Sequence, residues 1–524
     1  MTITPRTIVA GAALAAALAS LTASPALGAQ STPNAAVAPS PIDAAALKSA
    51  ASESATQAFY QRNGWRPVWT TDAAQAFDAA LADRAQHGLD KVEFLQNPDS
   101  QNKAVQEVAR TGAALRYASA LAKGVVDPST LHDVYTIPRP GPDLIGGLTK
   151  AVAEGNLGAW FASLVPQDGD YAALSSAYRR YAEQSGGGTA AIADNGLIHI
   201  GDRDPRVPAI VQQLRGGGYY STAGGSTGQG ASAPATGGAA SGNQYTARIA
   251  TAMKQLQRDY GIRADGVVGP DTLTVLNLRP GDRARALAVA MERLRWLRRA
   301  PPATRIDVNT AAASLNYYRD GTLVDTRKVI VGQPGRETPS LLAPIYRLVA
   351  NPTWTVPKSI EKAEMAHVGA SYLKSHNMVR RGGYIVQLSG PTNALGLVKF
   401  DMKDDQAIYL HDTEAPSLFD RSQRQLSHGC VRVYDALGFA QMIAADEGVT
   451  EAWDKAHAGS DQSFVALPHE IPVRLLYHNV FVDAGGDIAF RTDPYGWNAP
   501  IAKALGFRDT SNARAHADAI DLGP

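Results

Sequence analysis

A chain of 524 residues has room for about two to four domains. Its 50 Lys plus Arg nearly cancel 49 Asp plus Glu, so no net field draws it to nucleic acid or acidic lipid. A hydrophobic fraction of 45% supports true cores and excludes a wholly disordered chain.

Residues 1–29 read as an export signal. Arg6 gives a short positive region, residues 8–21 are apolar and alanine-rich, and Ala26-Leu27-Gly28 or Leu27-Gly28-Ala29 offers small residues for cleavage. The apolar run is short of the roughly 20 residues that span a bilayer. No later segment is apolar enough to span, so no membrane span is expected after cleavage. Residues 30–41 are rich in Ala, Pro, Ser and Asn and form a flexible lead.

From 42 to 200 the periodicity is helical. Phe77, Ala80, Leu81 and Arg84 precede His87-Gly88-Leu89, and Leu115, Ala118, Leu121 and Ala122 precede Gly124. Gly64-Trp65-Arg66-Pro67-Val68-Trp69 interrupts it as a turn whose buried tryptophans suit a core better than a sugar site. Residues 201–282 form a second module. A short helix carries Ile210, Val211 and Leu214; residues 216–243 are almost entirely Gly, Ser, Thr and Ala and predict a disordered insertion. A longer helix then ends at Gly261, and Asp265-Gly266 turns into a helix capped near Asp271 or Thr272. Residues 283–302 predict a connecting helix with Leu287, Met291, Leu294 and Leu297 on one face.

Beyond Pro302 the pattern alternates. Strands are expected at Ile306-Asp307-Val308-Asn309, Leu315-Asn316-Tyr317-Tyr318, Val329-Ile330-Val331-Gly332, residues 345–349, 384–388, 398–400, 408–410 and 473–477, with Asp320-Gly321 as a hairpin turn. Residues 303–495 are therefore a β-rich domain, two packed sheets or a barrel, and 496–524 a C-terminal tail. The fold class is multidomain α+β.

The lone cysteine lies in Ser427-His428-Gly429-Cys430-Val431-Arg432, and a histidine lies upstream in Leu410-His411-Asp412-Thr413. An exported chain with one cysteine has no internal disulfide. The thiolate is the nucleophilic form, and neighbouring His and Arg favour it. His411 at a strand end is placed as base, and the Gly429 and Cys430 N–H groups as oxyanion donors. An inert buried cysteine and an intermolecular bridge are the plainer readings. A zinc set of His411, Asp412, His428 and Cys430 is weak with one cysteine and no His-Glu-x-x-His. A papain-like peptidase would place Cys before His. A sortase would carry Thr-Leu-x-Thr-Cys, absent here.

Residues 201–280, with Gln257, Gly261, Asp265-Gly266, Gly269-Pro270 and Thr272-Leu273, resemble the peptidoglycan-binding module of cell-wall enzymes. The signature around Cys430 with upstream His411 resembles the L,D-transpeptidase catalytic domain of the YkuD type. Val331-Gly332, Thr338-Pro339, Asn351-Pro352-Thr353-Trp354, Asn393-Ala394-Leu395-Gly396 and Lys399-Phe400 look like its large multidomain Gram-negative branch. The resemblance implies a helical scaffold, a small three-helix wall-binding module and a β-rich catalytic domain with a lid over 358–384. It makes Cys430 the nucleophile, His411 its base and the Asp412 carbonyl the third member; His428 and Gly429 shape the oxyanion site and Arg432 supports the loop. It implies a periplasmic enzyme acting on peptidoglycan stem peptides and glycan, without cofactor or metal. A tetrapeptide donor loses D-Ala, a thioester forms, and a second stem accepts the acyl group. The same residues would serve an L,D-carboxypeptidase or attachment of protein to the wall, and a wall-binding scaffold without activity is the non-enzymatic reading.

Overall fold

The computed structural model describes residues 42–96, 100–186, 190–220 and 242–508. The export signal, the lead, most of the glycine-rich insertion and the end of the tail lie outside the described residues.

The first helices are α1 (Ala44–Ala50), α2 (Ser54–Arg62), α3 (Thr71–Ala82), α4 (Lys103–Lys123), α5 (Leu144–Glu154), α6 (Leu157–Leu164) and α7 (Gly169–Glu183). Asp43, Thr70, Asn102, Asp143 and Asp168 each accept a first-turn N–H, the reason these helices start where they do. α4 buries an alanine-rich surface, which lets aromatics close in: Tyr117 lies 5.2 Å from both Phe94 and Phe161. Trp65 and Trp69 are half-buried rather than buried. Trp69 leans on Phe77 while its indole N–H reaches Thr111 Oγ1 at 2.8 Å, and Trp65 stacks on Tyr60.

The second module is the expected set of three helices, α8 (Val207–Gly216), α9 (Ala247–Asp259) and α10 (Pro270–Leu276). Buried Gln257 donates to Val267 O and Thr272 Oγ1, both at 3.0 Å, and accepts from Gly266 N–H at 2.8 Å, so one amide holds the whole turn. The cap of α10 is Gly269 followed by Pro270, not Asp271 or Thr272, because the Thr272 hydroxyl is turned inward to Val267 O.

The connecting helix α11 (Pro280–Trp296) departs from its one-sided pattern. Glu292, Arg293 and Arg295 are buried along with Leu287 and Met291. Burial is tolerated because the charges are matched. Arg295 meets Glu292 at 2.7 Å and donates to Tyr171 Oη and His87 O, both at 2.9 Å; Glu292 also accepts from Val126 N–H. Arg293 donates to Asn479 and Asn498 in the C-terminal part of the chain.

The catalytic-type domain contains β1 (Arg305–Asn309), β2 (Ser314–Arg319), β3 (Thr322–Gly332), β4 (Leu342–Ala350), β5 (Trp354–Thr355), α12 (Lys358–Glu364), α13 (Ala370–Ser375), β6 (Met378–Arg381), β7 (Tyr384–Gln387), β8 (Val398–Met402), β9 (Leu410–His411), β10 (Gln425–Ser427), β11 (Val431–Val433), α14 (Ala436–Asp446), α15 (Thr450–His457), β12 (Ser463–Leu476), β13 (Val480–Val482), β14 (Ile488–Phe490) and α16 (Asn498–Ala504). The strand order β10-β3-β11-β9-β8-β4-β12-β1-β2, with β2 also paired to β3, closes the sheet into a barrel. Alternating Ile306, Val308, Leu315, Val331, Val398, Phe400, Leu410, Val431 and Val433 join α14 and Trp453 in its core. β1 to β3 fall where the alternation places them, turned by Asp320 and Gly321 at positive φ.

Two boundaries differ. Residues 496–508 are no tail: Ile501, Ala502 and Leu505 of the α16 segment are buried, and α16 packs on α11. Between β4 and β8 the chain makes an excursion with its own small core of Trp354, Val356, Ile360, Leu373 and Ile385, so the segment expected as a lid begins a few residues earlier than 358. A short antiparallel sheet β5-β7-β6 frames it.

Candidate active site

β9 runs between β8 and β11, and the register sets three side chains side by side. His411 pairs with Lys399 of β8 and with Arg432 of β11. Paired residues share a face, and the neighbours Leu410, Phe400 and Val431 point to the core. Lys399, His411 and Arg432 therefore share the face away from it. His411 is fully buried and belongs to the strand, rather than following a strand at 408–410.

Burial and the two flanking cations hold the His411 pKa well below the ordinary histidine range; the main chain of Asp412, as acceptor, pulls it up. Neither ring nitrogen makes a hydrogen bond of normal geometry among the described residues. The imidazole is thus neutral with a nitrogen able to accept a proton.

Cys430 sits between β10 and β11, with 9% of its surface exposed. Burial pushes its thiol up to about 11, opposed by the main-chain N–H and the side chain of Tyr409 and by Lys399. Its sulfur lies 3.8 Å from Ala407 O. Tyr409 is a site residue the sequence did not single out. Its ring stands 5.6 Å from that of His411, carries the Lys399 ammonium 4.2 Å from its centre, and packs on the small core of the excursion.

The turn before Cys430 is built by Ser427. Its hydroxyl donates to Cys430 O at 2.6 Å and accepts from Gly429 N–H at 3.2 Å. The Gly429 N–H is thereby directed at Ser427, not at an oxyanion position. Gly429 adopts φ +120°, a conformation that glycine alone takes easily. Its carbonyl accepts from Thr338 Oγ1 at 2.7 Å, and Thr338 Oγ1 accepts from Gly332 N–H at 2.8 Å. Tyr495 donates to Gly332 O at 2.6 Å. Ser427 and Thr338 were both within the recognised motifs; their part in the turn follows only from three-dimensional proximity.

His428 points from the same turn into the excursion, where its Nε2 meets Glu364 Oε1 at 2.8 Å. The Asp412 carboxylate accepts from Leu397 N–H at 2.9 Å and lies under Gly396, away from the imidazole's proton chemistry. Arg432 is buried beside His411 in the sheet. The six residues named from the sequence thus fall on two adjoining segments, with Arg432 and His411 paired across neighbouring strands and Cys430 one residue before β11. Among the described residues no group of His, Cys, Asp and Glu is arranged to hold a metal ion.

Comparison with known proteins finds matches to three family models. Residues 303–452 match the L,D-transpeptidase catalytic domain, residues 54–177 a scaffold domain and residues 203–276 a putative peptidoglycan binding domain. The three matched spans follow one another along the chain without overlap, the scaffold first and the L,D-transpeptidase catalytic domain last. A putative L,D-transpeptidase of Haemophilus influenzae is 31% identical over 220 residues, which cover 37% of this chain and 45% of that protein. The chain thus spans about half the length of that curated relative. Among solved structures, an L,D-transpeptidase from Stackebrandtia nassauensis aligns at 13% identity over 55% of this chain and 97% of its own, with a TM-score of 0.23. One from Mycobacterium smegmatis aligns at 12% identity over 33% and 58%, with a TM-score of 0.20. Scores at that level carry no argument about geometry.

Proposed function

We propose that this protein is a periplasmic peptidoglycan L,D-transpeptidase that cross-links stem peptides through a thioester on Cys430. The observation that supports it most is that the only cysteine of the chain immediately precedes β11, whose Arg432 pairs with the buried, pKa-depressed His411 of β9, so that nucleophile and imidazole come from adjoining strand segments. With the thiol raised and the imidazole lowered, the resting pair is uncharged. His411 therefore acts as a general base during attack rather than as half of a standing ion pair.

The Cys430 proton passes to His411 as the sulfur adds to the peptide carbonyl carbon. The Cys430 N–H and the Tyr409 hydroxyl stabilise the oxyanion, each donor contributing on the order of 3 kcal/mol. The C–N bond breaks, His411 returns the proton to the departing amine, and the thioester remains. A second amine attacks it, His411 takes that amine's proton, and the thiol is regenerated. The bond energy of the first peptide is kept in the thioester, so no nucleotide is needed. The matches to a putative peptidoglycan binding domain and to the L,D-transpeptidase catalytic domain support peptidoglycan as substrate.

The test is muropeptide analysis after incubating the purified chain with a tetrapeptide substrate. Cross-linked dimer with release of D-Ala is expected. Trimming without dimer would mean a carboxypeptidase, and no reaction with intact sacculus binding a wall-binding scaffold. A thiol-directed beta-lactam of the carbapenem type should add one adduct by intact mass, lost in Cys430→Ala; an adduct persisting on that variant would end the assignment of the nucleophile.

A further inference from the structure

Glu364 is the last residue of α12 and belongs to the excursion, here called the roof, whose small core packs against Tyr409, the neighbour of Cys430. Its Oε1 receives His428 Nε2 at 2.8 Å and Arg336 at 2.8 Å. A carboxylate only accepts, so both partners donate to one oxygen. The contact ties three segments together: the loop after β3, the turn carrying the nucleophile, and the roof. The His428 side chain is 6% exposed, Glu364 23% and Arg336 35%. A negative charge at a helix C-terminus gains nothing from the helix dipole, so this glutamate is not there for α12. A guanidinium and an imidazole N–H converging on one oxygen make a seat for a carboxylate.

The seat adjoins the chemistry. His428 is separated from Cys430 by Gly429 alone, and the main chain of Arg336 and Glu337 lies beside Gly429, with carbonyls 3.9 and 3.8 Å from where a β-carbon would sit. An acyl donor that loses a C-terminal amino acid carries a free carboxylate on the leaving residue, one residue beyond the bond that breaks. Cys430 is nearly buried and His411 fully so, so a peptide reaches them only if a neighbouring segment moves, and the excursion packs on Tyr409 beside both.

We propose that Arg336 and His428 form the subsite for the terminal carboxylate of the acyl donor, and that Glu364 fills it in the substrate-free chain as an internal stand-in whose displacement releases the roof. This rests on the acyl-transfer reading for the identity of the donor. One carboxylate replaces another, so the roof opens without leaving Arg336 or His428 facing an uncompensated vacancy. Donors amidated at that terminus have no charge with which to displace Glu364 and are discriminated against.

The test compares alkylation of Cys430 by iodoacetate and iodoacetamide in the full chain, followed by intact mass. The reagents are near-isosteric and differ in carboxylate against amide. In each the sulfur–carbon bond forms, iodide leaves and the thiol proton goes to solvent. Glu364→Gln should raise the iodoacetate-to-iodoacetamide rate ratio about tenfold, the worth of one charge-assisted hydrogen bond. Adding Arg336→Gln should bring the ratio back, and Arg336→Lys in its place should restore part of it. Equal acceleration of both reagents by Glu364→Gln would reduce Glu364 to a plain cover and overturn the proposal, as would a ratio indifferent to Arg336. A ratio that shifts as expected in a chain yielding no cross-linked product would keep the seat and remove the transpeptidase reading.

Discussion

Cys430 and His411 are tuned in opposite directions by one environment, and this has readable consequences. The thiol is raised to about 11, so its alkylation by neutral iodoacetamide should go on rising with pH beyond the ordinary thiol range, with no plateau near 8.5. The imidazole pKa is depressed in the folded state, so the unfolded chain binds a proton that the native chain refuses. Stability is then lost as pH falls below about 6.5, at about 1.4 kcal/mol per pH unit until the folded pKa is reached. His87, His132 and His478 are depressed by burial too, so His411→Gln should make that limb of the denaturation profile shallower by one histidine's share, measured by urea midpoints across pH. Asp412 differs. Its carboxylate caps Leu397 N–H, so Asp412→Ala should lower stability by about 1 kcal/mol while Cys430 alkylation is kept; a collapse in reactivity would give the side chain a chemical role. The proposed nucleophile and base could be singled out in the sequence because cysteine occurs once and histidine is sparse, and their order and context constrain the chemistry. Tyr409 and Glu364 were not. Tyrosine and glutamate are common, and what distinguishes these two is a partner on another segment.

At the scale of elements, the Cys430 turn depends on a hydroxyl that belongs to neither flanking strand. Thr338 Oγ1 bridges Gly429 O and Gly332 N–H. Thr338→Val keeps the shape and leaves two buried backbone groups unpaired, a cost of about 1–3 kcal/mol each. The expected outcome is a lower thermal midpoint and slower acylation by a carbapenem, the latter not restored at temperatures where the variant is folded. Strands β1 to β4 could be read directly, since period-two alternation survives wherever one face meets the core. β9 was displaced because Ile408-Tyr409-Leu410 looks like a strand by composition, while only Leu410 and His411 find partners in the register of β8 and β11. The one-sided reading of α11 failed for a related reason. Its charged positions look solvent-facing until Val126 and Tyr171, 166 and 124 residues away in sequence, are brought against it.

For the whole molecule, residues 43–508 behave as one unit with α11 as its central post. α11 packs on α4, α7 and α16, and Arg293 reaches residues after β12. Removing one member of the fully buried Glu292–Arg295 pair should cost about 3–5 kcal/mol. Because helical and β-barrel segments both lean on α11, Glu292→Gln should lower a single calorimetric transition; two separated transitions would mean that the domains melt independently. The scaffold also touches the barrel near the candidate site: Thr136 N–H donates to Ser340 O at 3.2 Å and Leu342 N–H to Thr136 Oγ1 at 3.1 Å, just beyond Thr338. β12 has a practical implication. It lies between β4 and β1, yet it begins at residue 463, after the family-matched span stops at 452. A recombinant fragment cut to that span would be a ribbon with two raw borders, inviting copies to stitch together in the expression host. Anyone trimming this gene for crystallisation should place the downstream primer after residue 508 and the upstream one before the helices.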